Sequence, residues 1–79
     1  MVGANVSLFE QLVAASELSP LFANRALRRA LARAGVEPDR MRGDDVAVAA
    51  PEIERVVRMF VPDRVDEVMG RIRKLATDR

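Results

Sequence analysis

The chain contains neither cysteine nor histidine among its 79 residues, which narrows the ways in which so short a domain can be stabilised. A domain of this size buries only about 60% of the surface that its unfolded chain exposes. Small domains therefore often depend on disulfides, metal ions or a partner subunit. Disulfides and thiolate or imidazole metal sites are excluded by the residue inventory. A partner is the remaining source of extra stability.

Apolar side chains recur at helical spacing in segments separated by turn residues, which predicts a single all-α domain over residues 1–79. Ser7 and Glu10 match a capping box, in which each side chain accepts a hydrogen bond from the other residue's backbone amide. Helix 1 is therefore predicted over residues 8–17. Residues 1–6 are expected to form a flexible tail.

Helix 2 has a strong signal at each end. Ser19 is predicted to cap it, and Pro20 suits the first helical position because its missing N–H needs no partner there. Gly35 can adopt the left-handed conformation that closes a helix, and Pro38 prevents continuation. Helix 2 is therefore predicted over residues 20–34.

Residues 37–50 are ambiguous. Residues 38–42 are predicted to form a short helical turn closed by Gly43, with a second turn capped by one of the two following aspartates. The alternation in Val46–Val48 also allows a short strand, but nothing in the sequence offers a second strand to pair with it. Short helical turns are therefore preferred.

Helices 3 and 4 carry the clearest apolar stripes. Pro51 is predicted to open helix 3, Pro62 to end it and Asp63 to cap helix 4, while Gly70 either allows close approach of a neighbour or is tolerated. The helix 3 stripe consists of Ile53, Val56, Val57, Phe60 and Val61. The helix 4 stripe consists of Val65, Val68, Met69, Ile72 and Leu75. The predicted fold is a compact bundle of four main helices with one or two short helical turns between helices 2 and 3.

The side-chain inventory argues against catalysis. Histidine, cysteine and tyrosine are absent, so the usual general bases and most nucleophiles are missing. A two-carboxylate site could be drawn from Asp44, Asp45, Glu52 and Glu54. Capping and helix-dipole stabilisation explain the same residues without chemistry. The sequence therefore predicts a non-enzymatic protein with no catalytic residues, cofactor, metal site or small-molecule substrate.

The apolar stretches are only a few residues long, far below the roughly 20 residues needed to cross a bilayer. Residues 1–6 have neither the basic region nor the apolar region of a signal peptide. Cytoplasmic location without membrane attachment is the expectation, and the absence of cysteine fits it.

Four arginines form a stripe on one side of helix 2, spanning about 140° at about 100° per residue. This arginine stripe consists of Arg25, Arg28, Arg29 and Arg33. Like charges four residues apart destabilise an isolated helix, so a compensating charge is expected. Three sources of compensating negative charge are open. One is the domain's own acids, since residues 43–70 hold seven acids and three arginines. The others are an acidic partner and nucleic-acid phosphate.

Nucleic-acid binding has limited support. Residues 30–38 look similar to the first helix and turn of a helix-turn-helix motif, with glycine in the turn. The expected recognition helix, residues 38–42, is cut short by Gly43, whereas a major-groove reader needs several turns. The net charge is only +1, and aromatic residues for stacking are scarce.

Three large apolar residues fall outside the predicted core stripes. Leu21 and Phe22 lie on the arginine side of helix 2, and Met59 lies off the helix 3 stripe. Helix 1 or residues 37–50 could cover Leu21 and Phe22, with Met59 a lone surface residue. Alternatively, the three are parts of a contact surface with an arginine rim, as in protein interfaces.

The function expected from these features is protein–protein interaction or self-association, as an adaptor or assembly module. The partner is another protein or a second copy in a homodimer. The predicted contact residues are Leu21, Phe22, Arg25, Arg28, Arg29, Arg33 and Met59. The alternative is a small DNA-binding or nucleoid-associated regulator that uses the arginine stripe on phosphates.

Overall fold

The computed structural model describes residues 7–77, and this part of the chain contains helices and turns but no strand. The order is α1 (Leu8–Ser16), α2 (Pro20–Arg33), a 3₁₀ turn (Pro38–Arg40), α3 (Gly43–Phe60), a second 3₁₀ turn (Pro62–Arg64) and α4 (Val65–Thr77). The predicted all-α bundle of four helices is confirmed. The predicted tail, residues 1–6, lies outside the described residues.

The capping box at the start of α1 is present. The Glu10 amide donates to Ser7 Oγ at 3.1 Å, and the Ser7 amide donates to Glu10 Oε1 at 3.4 Å. At the other end, Ser16 is fully buried, and its hydroxyl donates to the Val13 carbonyl at 2.7 Å. Glu17 then takes a left-handed conformation with φ of 63°, which turns the chain towards α2.

The two ends of α2 differ in how well they follow the prediction. Pro20 is the first helical residue, as predicted, but the Ser19 side chain makes no capping hydrogen bond, so that part of the prediction is wrong. At the other end Gly35 has φ of 78°. The Val36 amide donates to the Leu31 carbonyl at 2.8 Å, which is the closing bond of a Schellman motif.

The main correction to the predicted fold is α3, which begins at Gly43 and runs for 18 residues. Gly43 therefore starts a helix instead of closing a turn, and Pro51 lies inside that helix instead of opening it. A proline in a helix interior leaves the carbonyl four residues earlier, that of Ala47, without its usual donor. Ala47 and Pro51 are both on the exposed face, where water can replace the lost donor.

Packing explains why the helix tolerates Pro51. Val46 and Ala49 before it, and Ile53 after it, are fully buried. Interior proline disfavours a helix by about 3 kcal/mol relative to alanine, and burial of side chains in both flanking segments can offset a penalty of that size. Asp45 adds a local contact at the start of the helix, because its carboxylate accepts the Arg42 amide at 2.9 Å.

The start of α4 also differs from the prediction. Asp63 lies within the 3₁₀ turn Pro62–Arg64, and the helix itself begins at Val65. Asp63 is therefore not in the predicted capping position. The break at Pro62 is present, because a 3₁₀ turn directly after α3 redirects the chain.

The core lies where α3 meets α2 and α4, with α1 closing one side against α4. It is built mainly from valine, alanine, leucine and isoleucine. Each helix contributes residues that are almost fully buried: Phe9 and Leu12; Ala23, Leu27, Ala30 and Leu31; Val46, Ala49, Ile53 and Val57; Val68, Met69 and Ile72. Because many of these side chains are small, the helices must approach closely to fill the space between them.

Two helical glycines are expected to respond oppositely to alanine. A Cβ at Gly43 would lie 2.8 Å from the Ala76 carbonyl oxygen, whereas a Cβ at Gly70 would meet nothing within 4 Å. Gly43→Ala should destabilise the fold by about 1–3 kcal/mol through overpacking. Gly70→Ala should stabilise it by about 1 kcal/mol through helix propensity. Urea unfolding of both variants checks this, and equal effects would contradict the close approach at Gly43.

Candidate interaction surface

The first turn of α2 exposes two large apolar side chains. Leu21 is 85% exposed and Phe22 is 42% exposed, so neither is covered by α1 or by residues 37–50. An open groove lies along this turn, lined by Ser19, Pro20, Leu21, Phe22, Asn24 and Arg25. Of the two interpretations offered for these residues, the structure favours exposure over burial in the core.

Phe22 contacts the ring of Phe60 at the end of α3. The ring centroids are 4.4 Å apart and the ring planes are nearly perpendicular, an edge-to-face arrangement. Such a pair contributes about 0.5–1.5 kcal/mol beyond burial of its area. Phe60 is itself 42% exposed, so its predicted place in the core stripe is wrong. We define the apolar patch as Leu21, Phe22 and Phe60.

Position along the helix explains the exposure of Phe60. It is the last residue of α3, and α2 begins at Pro20 with Phe22 beside it. The stripe pattern gives the direction of a side chain but not whether a neighbouring helix extends far enough to cover it. Met59 is 71% exposed on the same last turn, as predicted for a residue off the stripe. On this last turn of α3, the ring that contacts Phe22 of α2 is that of Phe60.

All four residues of the arginine stripe are exposed, and within residues 7–77 none forms an ion pair. Arg25 follows Leu21 and Phe22 by one turn, so the stripe continues directly from the apolar patch along α2. The domain's own acids were one expected source of compensation. No described carboxylate lies within ion-pair distance of these arginines, so their charge is not offset by direct pairing.

Arg28 differs from the other three members of the stripe. Its Nε donates to Asn24 Oδ1 at 2.7 Å, and its guanidinium carbon lies 4.8 Å from the centre of the Phe9 ring. This cation–π contact holds Arg28 against the edge of α1. Arg25, Arg29 and Arg33 have no such contact among the described residues, so their guanidinium groups can turn towards a ligand.

The acids are engaged elsewhere, most clearly between α1 and α4. Glu17 pairs with both Arg64 and Arg71, and Glu67 pairs with the same two arginines at 2.8 and 3.3 Å. The hydrogen bond from Arg64, and then its charge, lower the pKa of Glu67 below its ordinary value. This four-residue network connects the turn after α1 to the first half of α4.

The carboxylates considered for an active site have structural partners or positions. Asp45 accepts the Arg42 amide, and Glu52 lies 3.6 Å from Arg55. Glu54 pairs with Arg58, and at 3.6 Å with Arg73 of α4. In the described part of the chain, no three acidic residues converge as a metal-binding group. Capping and ion pairing therefore account for Asp45 and Glu54. Glu52 Oε1, by contrast, is buried without a hydrogen bond within residues 7–77 and lies at ion-pair distance from Arg55.

The helix-turn-helix resemblance does not extend into the tertiary structure. That motif joins its helices by a turn of about 3–4 residues, whereas α2 and α3 are separated by residues 34–42. The helix after this connection begins with Asp44 and Asp45 in its first turn. If this end of α3 approached DNA, the phosphates would repel these carboxylates. The start of α3 is therefore unsuited to contacting bases as a recognition helix does.

Comparisons with protein-family models, with curated proteins and with solved structures find no match to this chain. A functional site can therefore be assigned only from the chain's own residues. Among the helices described, none combines the length and apolar character that crossing a membrane requires.

Glu67→Gln should change the response of the fold to acid. Because the pKa of Glu67 is lowered in the folded state, its ionised form stabilises the fold above the unfolded-state pKa, and this contribution is lost as the pH falls through the folded-state pKa. The variant should melt at a lower temperature near neutral pH and lose less stability between about pH 7 and about pH 3. Melting temperatures across that range check this. Asp39→Asn, which removes an unpaired exposed carboxylate, is the control, and parallel curves for Glu67→Gln and the wild type would contradict the role of the network.

Proposed function

We propose that this domain is a non-catalytic protein-interaction or self-association module whose contact surface is the apolar patch together with the arginine stripe. The observation that carries the proposal is the exposed Phe22–Phe60 pair, continued along α2 by four arginines that pair with no carboxylate of residues 7–77. The cytoplasm is the proposed location, which the absence of cysteine fits.

The composition of this surface supports a protein partner. Interface centres are enriched in aromatic residues and arginine, and large anchors are commonly surrounded by polar contacts that exclude water. Here an aromatic pair and Leu21 form an apolar centre beside Arg25, and Arg29 lies one turn further along α2. A few exposed apolar side chains are ordinary, but here Phe22 contacts Phe60, follows the exposed Leu21 in the chain and precedes a stripe of like charges.

A second candidate function is DNA binding through phosphate contacts. The specific observation in its favour is that the arginine stripe has no acidic partner within the described residues. Against it stand the net charge of +1 and the acidic start of α3. Phosphate binding also leaves the exposed apolar patch without a role, so protein interaction explains more of the surface.

The double variant Phe22→Asp, Arg29→Glu tests where the proposed contact lies. It should abolish self-association or partner binding, because it places a charge in the apolar centre and reverses another at its rim. The solution mass over a concentration series, alone and with binding partners, is the measurement. Val48→Asp, Arg55→Glu makes the same two kinds of change on α3 and should leave association intact. Unchanged association in the first variant, with the fold preserved by circular dichroism, would exclude this surface.

The DNA alternative predicts a different salt response. If the stripe bound phosphate, the chain would be retained on duplex DNA at low salt, and affinity would fall steeply as salt rises because counterions are released on binding. We expect no such retention. Measuring solution mass with duplex DNA at low and at moderate salt decides this, and a salt-sensitive complex that Arg29→Glu abolishes would rank DNA first.

A further inference from the structure

We infer that the partner of this surface is an acidic amphipathic helix about three turns long, carrying large apolar side chains on one face and carboxylates beside them. The inference rests on the proposed function and specifies its ligand. It follows from three properties of the surface: its charge, its dimensions and the type of secondary structure available for docking.

The charge is uniform and uncompensated. Six other arginines pair with glutamates in the described residues: Arg40, Arg55, Arg58, Arg64, Arg71 and Arg73. The arginine stripe has no such pair, although like charges spaced by four residues along α2 repel one another. Carboxylates of a partner would offset the positive charge of the stripe and so reduce that repulsion. Arginine is suited to this task because its planar group binds a carboxylate through two hydrogen bonds.

The dimensions fit one helix. From Leu21 to Arg33 the surface extends about 18 Å along α2, which equals the length of about 12 helical residues. The apolar patch occupies one end of this length, and Arg29 and Arg33 occupy the other. A docked helix would therefore place its apolar residues near Phe22 and Phe60, with acids along the part that follows.

A helix is a form of peptide that this site can accept. A peptide that binds by adding a strand needs a sheet edge, and residues 7–77 include no sheet. Helices bind instead by placing an apolar face in a groove, and such a groove lies along the first turn of α2. Apolar residues spaced three, four and seven apart in the partner would enter it.

A second copy of this chain fits the full surface less well. A symmetric dimer places the same patch on both partners, so two arginine stripes would face each other wherever the contact runs along α2. The repulsion between like charges opposes that arrangement. The first turns of α1 and α4 contain Glu10, Asp66 and Glu67, of which Glu10 is used in a capping box and Glu67 in the ion network.

The test uses the complete 79-residue chain and a fluorescein-labelled synthetic helix, with binding followed by fluorescence anisotropy. In the probe, leucines spaced three, four and seven residues apart form one apolar face. Glutamates lie along both edges of that face. A matched peptide has glutamine at every glutamate position. We expect the acidic peptide to bind, and the glutamine peptide to bind about tenfold more weakly or worse, because the arginines lose their carboxylate partners.

Two single variants of the chain complete the design. Arg29→Glu should weaken binding of the acidic peptide by about fivefold or more, since it reverses a charge within the stripe. Arg55→Glu changes the net charge equally on α3 and should alter binding by less than about twofold, because exposed charges outside the contact are largely screened. Circular dichroism confirms that both variants are folded.

The contrary outcomes distinguish failure of this inference from failure of the proposed function. Equal binding of the acidic and glutamine peptides would overturn the acidic partner while leaving a protein-binding surface. A dimer that Phe22→Asp disrupts, without peptide binding, would overturn the inference in favour of self-association. Binding to duplex DNA alone, lost in Arg29→Glu, would overturn both.

Discussion

One buried face of α3 holds α2 and α4 in place, and these two helices in turn contact α1. Helix α3 packs against α2 on one side and α4 on the other, and it contributes Val46, Ala49, Ile53 and Val57 to the core. Because these side chains are modest in size, the helices must lie close together. The contact between Gly43 and the Ala76 backbone shows how close, since even a methyl group would not fit there.

Charge is distributed unevenly over this framework. The glutamates of the turn after α1 and of α4 are paired with Arg64 and Arg71, so the two negative and two positive charges of this network balance. The exposed face of α2 carries four arginines that form no ion pair within residues 7–77, and the apolar patch lies at its start. A ligand that binds only the folded state of a small domain stabilises it, so the partner proposed for α2 would also stabilise the whole bundle.

Local patterns predicted most of the elements but failed where packing outweighed them. Four helices, the capping box at Ser7 and the turn at Gly35 follow from short-range hydrogen bonding and backbone preference. Local preference predicts Pro51 at a helix start, because proline disfavours a helix interior. Burial on both sides of Pro51 outweighs that preference, and no local pattern reports burial. Periodicity predicts Phe60 in the core, but it indicates only the direction of the side chain, whereas its burial depends on where the neighbouring helix begins.

The fold class, the arginine stripe and the scarcity of catalytic side chains can be read from the chain alone, because these follow from residue types and their spacing along a helix. The position of Leu21, Phe22 and Met59 outside the core stripes follows on the same basis. The packing of the helices was needed to show that Phe60 contacts Phe22, that Arg28 lies over the Phe9 ring, and that no arginine of the stripe pairs with a carboxylate of residues 7–77. Those facts depend on distances between residues far apart in the chain, which are fixed by how the helices pack.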